Sequence, residues 1–148
     1  MHPFPHKYDV AARATPADDV AVDSAGLPSI QSAPPVEFGG PGDRWSPETL
    51  LVAAVADCFV LTFRAIASFS RLSWVSLTCE VSGTVDRVDR ATQFTAFDVR
   101  ARLLVPAGAD VEQARRLLAK SEQTCLVTQS LKAAAHLDAI VEVDTATT

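Results

Sequence analysis

A long apolar segment without glycine or proline constrains this chain more than any other feature. From Glu48 to Ser82 there is no residue of either type. Ser46, Pro47 and Glu48 form a typical helix start, with an N-cap hydroxyl, a proline at the first position and an acid in the first turn. The pattern predicts a helix of about twenty residues that ends at the sequence SRLSW.

Apolar side chains lie almost all the way around this predicted helix. They are Leu50, Leu51, Val52, Val55, Phe59, Val60, Leu61, Phe63 and Ile66. A helix of this kind is buried on most of its sides, in a core or in a subunit interface. Because the chain is short, we expect a homodimer whose two copies share the helix.

The length and charge of the chain indicate one soluble domain. It has 148 residues and a net charge of -5, with its 13 Lys and Arg residues scattered, which argues against a nucleic-acid or anionic-membrane surface. The sequence MHPFPHKYDVAARATP has no apolar region typical of a signal peptide. We expect a single cytoplasmic domain over residues 1–148, with residues 1–6 and 144–148 as frayed ends.

The apolar run is not expected to cross a membrane. Between Leu50 and Ile66 it is interrupted by Asp57 and Arg64, and it is shorter than the roughly 20 apolar residues of a membrane span.

Alternation of apolar and polar residues predicts a β-hairpin after the helix. Odd positions from Val75 to Val85 are mostly apolar and even positions are polar, and the same period of two returns from Phe97 to Val105. The intervening sequence DRVDRATQ is expected to turn the chain.

A second helix and a last strand complete the pattern. Asp110 is the expected N-cap, with Gln113 placed as in a capping box. The helical pattern continues through SEQTCLVTQSLKAAA, either unbroken or with a kink, before a strand around Leu137 to Val143. With weak strands in residues 7–33 and a Pro- and Gly-rich loop from Ala33 to Trp45, the order predicts an α+β domain with a segregated antiparallel sheet.

Three cysteines are the residues most capable of chemistry. In a reducing compartment each is a buried small hydrophobe, a metal ligand or a redox group. Cys79 lies on the apolar face of a predicted strand and is expected in the core. Cys58 and Cys125, each taken alone, also fit the core, although small residues before Cys58 leave space beside its sulfur.

Other kinds of site have little support in the sequence. No CxxC spacing is present, and His2, His6 and His136 do not cluster with the cysteines, so we expect no metal and no cofactor. A Cys-His hydrolase built on Cys58 and His136 has the residues in a workable order but no local signature.

Two segments together resemble a known family. EFGGPGDRWSPETLLVAAVADCF is followed, after the predicted hairpin, by AKSEQTCLVTQSL. The pair resembles the OsmC/Ohr family of peroxide-reducing proteins, and the similarity covers most of the chain from Pro35 onward. One departure is Leu126, because the family usually has proline after its second cysteine.

The resemblance implies a fold, an assembly and residue roles. It implies an OsmC-like α+β fold with long buried central helices in an intertwined homodimer, with the active sites at the interface. Cys58 matches the peroxidatic cysteine, Cys125 the resolving cysteine and Glu48 a glutamate that pairs with an arginine. An external dithiol, of the lipoyl type or a simple thiol, would restore the reduced enzyme.

A cation is expected near Cys58. A free thiol is mostly protonated at neutral pH, and Cys58 lies ten residues beyond Glu48, about 15 Å along the predicted helix and too far for the helix dipole. Arginine suits the task because it stays charged and can hold peroxide oxygens. Arg13 and Arg44 are both candidates, whereas Arg64 is expected on the opposite side of the helix.

Two functions therefore follow from the sequence. The first is a thiol-dependent peroxidase that reduces organic hydroperoxides, with hydrogen peroxide as a second candidate substrate and Leu51, Val55, Phe59 and Phe63 as apolar walls. The second is a non-catalytic module of the same fold that binds an apolar small molecule in the dimer cavity.

Overall fold

A computed structural model describes residues 1–145. The chain falls into two compact units, Met1–Leu51 and the part from Val52 onward, and each unit is described by itself. The single domain over residues 1–148 stays a prediction. The predicted fraying of residues 144–148 lies largely outside the described residues.

The first unit contains a small antiparallel sheet. Its strands are β1 (Ala11–Arg13), β2 (Val20–Asp23) and β3 (Ile30–Ser32), in the order β1-β2-β3. They are short because Pro16, Gly26 and Pro28 interrupt the pattern. The loop that follows contains a 3₁₀ turn at Val36–Phe38 and ends where Trp45 pairs with Ser32. The loop predicted in this region is therefore confirmed.

Helix α1 (Pro47–Phe69) begins as the sequence predicts. The N–H of Thr49 donates to the Ser46 hydroxyl at 3.1 Å, which confirms Ser46 as the cap. Within the single chain the helix buries one stripe, formed by Val55, Phe59, Phe63 and Ala67. Its other apolar residues are half-buried or exposed, so the burial on most sides that the sequence predicts is not complete within one chain.

Helix α1 is also longer than the apolar run from which the sequence argument excluded a membrane span. Among residues 1–145, α1 is the one helix that is long and apolar enough to cross a membrane, judged by length and composition alone. The core helix of a soluble protein passes the same test, so the absence of a membrane stays a prediction.

The second unit contains the predicted hairpin. Strand β4 (Ser76–Val88) pairs antiparallel with β5 (Ala91–Val105), and side chains alternate between the covered and the wet face. The turn is narrower than expected because Val88 already pairs with Ala91, leaving Asp89 and Arg90 as the two loop residues, both with positive φ.

Helix α2 (Val111–Thr124) follows the hairpin. Strand β6 (Ala134–Val143) then joins the second sheet, whose order is β4-β5-β6. The Asp110 carboxylate accepts from the N–H of Gln113 at 3.0 Å, as predicted. The α+β class is confirmed, with one difference: β6 runs parallel to β5. Residues 106–133 include helical crossover structure, which a parallel connection requires.

Candidate functional site

The site is built around Cys58 on α1. The buried stripe of Val55, Phe59 and Phe63 holds the helix in place, and Cys58, on a neighbouring face, remains half-buried. One turn later, the Thr62 hydroxyl oxygen lies 3.8 Å from the Cys58 sulfur. The sulfur is therefore held in partial contact with solvent rather than sealed in the core.

Cys125 lies at a break between two helices. Its backbone is extended, with φ -61° and ψ 114°, so α2 ends at Thr124 and a short helix α3 (Leu126–Gln129) begins. Of the two possibilities that the sequence left open, the broken helix is the one observed. A helix start leaves its first N–H groups without carbonyl partners in the helix, so the break frees backbone donors beside Cys125.

The break brings Cys125 and Cys58 together. The Cys125 side chain and the backbone N–H groups of Val127 and Leu126 act as donors toward the Cys58 sulfur and lower its pKa. Partial burial raises the pKa of Cys58, but these donors and Thr62 outweigh it, so the pKa lies below its ordinary value. The arrangement favours a thiolate on Cys58.

Cys125 has the opposite electrostatics. Its side chain is 1% exposed, and burial is the main reason that its pKa is raised, with a further increase from the bond to Cys58. The Thr128 N–H and hydroxyl act in the other direction without reversing the sign. The two thiols therefore have pKa shifts of opposite sign, and Cys58 is the one that deprotonates first.

These donors were missed by the sequence argument, which required a cation to lower the pKa of Cys58. Thr62 could have been found, because it follows Cys58 by four residues and so lies on the same helix face. The N–H groups of Leu126 and Val127 carry no side-chain signal. Their availability depends on the break at Cys125, which the continuous helical pattern did not specify.

The predicted arginines lie in the first unit and are paired there. The Arg13 guanidinium donates to Asp23 at 2.8 Å and lowers the pKa of that carboxyl. Arg44 pairs with Asp19 and Asp43, and these two carboxylates raise its own pKa. The assignment of either to Cys58 stays a prediction.

Glu48 lies in the first turn of α1, as predicted. Its Oε2 atom is buried and has no hydrogen-bond partner among residues 1–145. A buried carboxylate oxygen without a donor is costly, so this atom calls for a donor beyond those described.

The positions of four other side chains do not fit the roles that the sequence suggested for them. Val55, Phe59 and Phe63, expected as substrate walls, are between 0% and 2% exposed and belong to the core, because the wall argument did not distinguish the buried stripe of α1 from its open faces. His136 lies on the exposed face of β6, where it pairs in register with Asp98.

Cys79 is half-buried on β4, and burial, with smaller contributions from Cys125 and Glu80, raises its pKa to about 11. Arg64 is exposed on α1. Within residues 1–145 no group of three or more His, Cys, Asp or Glu residues is arranged to hold a metal ion.

Comparison with known proteins matches this arrangement to one family. The sequence model of the OsmC family, described as OsmC-like protein, matches residues 40–139. The chain is 25% identical over 118 residues to the uncharacterized protein YmaD of Bacillus subtilis (strain 168), covering 78% of this chain and 79% of that protein.

Solved structures show the same fold. An OsmC-like protein of unknown function from Vibrio cholerae has a TM-score of 0.84 at 15% identity, covering 92% of this chain and 100% of its own. An organic hydroperoxide resistance protein OsmC from Legionella pneumophila has a TM-score of 0.72 at 23% identity, covering 94% and 100%. The corresponding protein from Elizabethkingia anophelis has a TM-score of 0.74 at 19% identity, covering 95% and 100%.

Proposed function

The chain belongs to the OsmC-like protein family, and on that premise we propose that it is a thiol-dependent peroxidase that reduces organic hydroperoxides. The observation that carries the proposal is the interacting pair of Cys58 and Cys125, in which each thiol acts on the pKa of the other and the two pKa shifts have opposite sign. A peroxidatic sulfur must be a thiolate, and a resolving sulfur must lie close to it. The names of the Legionella and Elizabethkingia proteins support a hydroperoxide as the substrate class.

The proposed reaction has three steps that balance. The Cys58 thiolate attacks the terminal oxygen of the hydroperoxide and the O–O bond breaks, giving a sulfenic acid on Cys58 and an alkoxide that is protonated to the alcohol. The Cys125 sulfur then attacks the sulfenic sulfur, and water leaves as the disulfide forms. An external dithiol reduces this disulfide by exchange and is itself oxidised to a disulfide.

The same geometry supports resolution without a large movement. Cys125 already interacts with Cys58 in the reduced protein, so the sulfenic acid would form near its partner. Rapid condensation protects the sulfenic acid from further, irreversible oxidation. A steady supply of dithiol is available in a reducing compartment, which is why we propose a cytoplasmic location.

An organic substrate is favoured by the apolar surface beside the two sulfurs. Leu126 follows Cys125 directly and is 70% exposed. An alkyl group on the peroxide can cover this side chain and remove apolar area from water. Hydrogen peroxide lacks that contribution and is the poorer substrate in this proposal.

We keep Arg13 and Arg44 as candidates for holding the peroxide, with Glu48 as the acceptor that orients the guanidinium. The unpartnered Oε2 of Glu48 supports this role because it lacks a donor. Arg13 is the easier of the two to redirect: its side chain is 75% exposed and has one carboxylate partner, whereas Arg44 is held by two.

We also propose a homodimer that covers the open side of α1. Asp57, Leu61 and Arg64 lie on one exposed face of this helix, with Leu61 49% exposed. In an antiparallel contact between two copies centred near Leu61, each Asp57 would face the Arg64 of the partner, as the two-fold symmetry of a homodimer requires. The fit of opposite charges around an apolar centre supports a second copy as the occupant.

Peroxide consumption tests the activity. Purified protein is given cumene hydroperoxide or hydrogen peroxide with dithiothreitol or dihydrolipoamide, and the remaining peroxide is measured. We expect faster turnover of cumene hydroperoxide, and loss of turnover in both Cys58→Ser and Cys125→Ser. Cys79→Ala is the matched control and keeps its activity; full activity in Cys58→Ser would overturn the proposal.

Mass spectrometry of the unreduced protein separates the peroxidase from a binding module. After one equivalent of peroxide, the peroxidase yields a Cys58–Cys125 crosslink and a protein lighter by about two hydrogens for each disulfide. A module that only binds apolar molecules gives slow, non-saturating oxidation without that crosslink.

Light scattering across protein concentrations tests the dimer. The Asp57→Arg variant should weaken the dimer, and the double variant that combines Asp57→Arg with Arg64→Asp should restore it.

A further inference from the structure

The Thr62 hydroxyl contacts the Cys58 sulfur but has no role in the proposed reaction steps. Thr62 lies one turn beyond Cys58 on α1, and its hydroxyl oxygen is 3.8 Å from the Cys58 sulfur. Both side chains are half-buried, so water competes only in part for this contact. When Cys58 is protonated either atom can donate, but toward a thiolate only the hydroxyl of Thr62 can do so.

The direction of this hydroxyl differs from that of the hydroxyls of Ser121 and Thr124 in α2. Serine and threonine within a helix usually donate to the carbonyl four residues earlier. Ser121 does so to Leu117 at 2.7 Å, and Thr124 to Lys120 at 2.8 Å. The Thr62 hydroxyl is instead directed at a side chain, the sulfur of the residue four positions earlier.

We propose that Thr62 is a positioning residue for Cys58, whose hydroxyl donates to the thiolate and fixes the sulfur for attack on the peroxide. The role rests on the proposed peroxidase function. A charge-assisted hydrogen bond is stronger than a neutral one, so the contact favours deprotonation and restrains the side chain of Cys58.

Thr62 differs from the other donors because it lies on the same helix as Cys58. Cys125 stops acting as a donor when its own sulfur attacks Cys58. The N–H groups of Leu126 and Val127 lie at the α2–α3 break, next to Cys125, so their positions depend on the same segment. Thr62 is on the helix of Cys58 itself, so its contact does not depend on that break.

The titratable groups around this contact are themselves thiols. Cys125 acts on Cys58 from the α2–α3 break, and it also raises the pKa of Cys79 on β4. On α1, Asp57 and Arg64 are exposed. The pH profile of Cys58 must therefore be read by a method that reports this cysteine alone.

The test measures alkylation of the Cys58 peptide by iodoacetamide against pH, resolved by mass spectrometry in the reduced full-length protein. In Thr62→Val, which keeps the branched shape and removes the hydroxyl, we expect the midpoint to rise by about half to one pH unit and the rate at pH 7 to fall about three- to tenfold. Thr62→Ser should restore the wild-type midpoint. Thr124→Val, which removes a helical hydroxyl bonded to a carbonyl, should leave it unchanged.

Several outcomes would overturn the proposal. An unchanged midpoint in Thr62→Val does so directly, as does an equal shift in Thr62→Ser. If the valine variant unfolds, Thr62→Ser and Thr62→Ala form the second comparison, and equal midpoints in those two contradict the role. Alkylation needs no peroxide, so the two proposals can fail separately. If Thr62→Val shows the expected rise in midpoint but the wild-type protein does not turn over peroxide, the peroxidase proposal is refuted and the Thr62 contact is established.

Discussion

The Cys125 thiol acts as a donor toward the Cys58 sulfur from the break between α2 and α3. This interaction has opposite consequences for the two residues: it lowers the pKa of Cys58 and raises the pKa of Cys125. Two cysteines of the same intrinsic chemistry are thereby divided into a nucleophile and a proton-bearing partner. The division follows from position alone, since Cys125 is almost fully buried and Cys58 is not.

The three cysteines should differ in their reactivity toward iodoacetamide at pH 7. Cys58 has a lowered pKa and is half-buried, Cys125 is buried with a raised pKa, and Cys79 has a pKa of about 11. We expect Cys58 to react at least about tenfold faster than the other two, because the thiolate is the reactive form. The rate should fall as pH drops through the lowered pKa of Cys58.

Peptide-resolved mass spectrometry of the reduced protein measures these three rates. The same protein in urea is the control, since unfolding removes the hydrogen bonds and the rates should converge. Equal rates in the folded protein would contradict the assignment of Cys58 as the thiolate.

Replacing Leu126 with proline should raise the pKa of Cys58 while leaving the fold intact. Proline removes the N–H that donates to the Cys58 sulfur. It also suits the first position of a helix, and the extended backbone of Cys125 suits a residue before proline. We expect a rise of a few tenths of a pH unit up to about one unit, as for the loss of one of several donors.

The control is Leu126→Ala, which removes the exposed side chain and keeps the N–H. Alkylation against pH should distinguish the two variants, with only the proline variant shifted. A shift of the same size in Leu126→Ala would mean that the side chain, and not the backbone donor, acts on Cys58.

Gly83 should be intolerant of a side chain. A Cβ atom there would lie 2.8 Å from Val52 Cγ2 and 2.8 Å from Phe94 Cε1, which is closer than such atoms approach. We expect Gly83→Ala to lower the free energy of unfolding by about 1–3 kcal/mol through overpacking, as measured by urea denaturation.

Thr78→Ala, on the exposed face of the same strand, is the control and should cost less. Combining Gly83→Ala with Val52→Ala should cost less than the sum of the two single losses, since one clash is relieved. Strictly additive losses would show that Val52 does not limit the space at Gly83.

Cys79 should make the protein less stable at alkaline pH. Its pKa rises from about 9 to about 11 on folding, so between these values the folded state holds a proton that the unfolded state has released. The free energy of unfolding therefore falls as pH rises through this interval. Allowing for partial solvent exposure, the loss from Cys79 is about 1–2 kcal/mol.

Urea denaturation of wild type and Cys79→Ala at pH 8 and pH 11 isolates this contribution from other titrating groups. The alanine variant should lose less stability over the interval. An identical loss in both proteins would show that the folded state does not shift the pKa of Cys79.

The sequence was a good guide wherever a local rule acts. The N-caps at Ser46 and Asp110 are confirmed because a cap needs only its own side chain and the next turn. The hairpin from β4 to β5 is confirmed because a period of two is fixed by the pleat of a strand. The turn was drawn too wide, since polar strand residues resemble loop residues until their partners are known.

The site was only partly accessible to the same rules. The resemblance singled out Cys58 and Cys125 from the motifs around them, but their hydrogen bond joins residues far apart in the sequence. Thr62 was within reach of a helical-face argument. The donors at Leu126 and Val127 were not, because every residue has the same N–H and only the surrounding backbone decides which of them is free.

By itself, the sequence determined the two principal helices, the hairpin and the α+β class, because each is encoded in local spacing and residue type. It distinguished Cys58 and Cys125 from Cys79 only through the family resemblance of the motifs around them. Only the tertiary structure decided that β6 runs parallel to β5, that α1 buries one stripe, and that the chain breaks at Cys125. These depend on contacts between distant segments. The lowered pKa of Cys58 depends on them too, since its main hydrogen-bond donors come from another part of the chain.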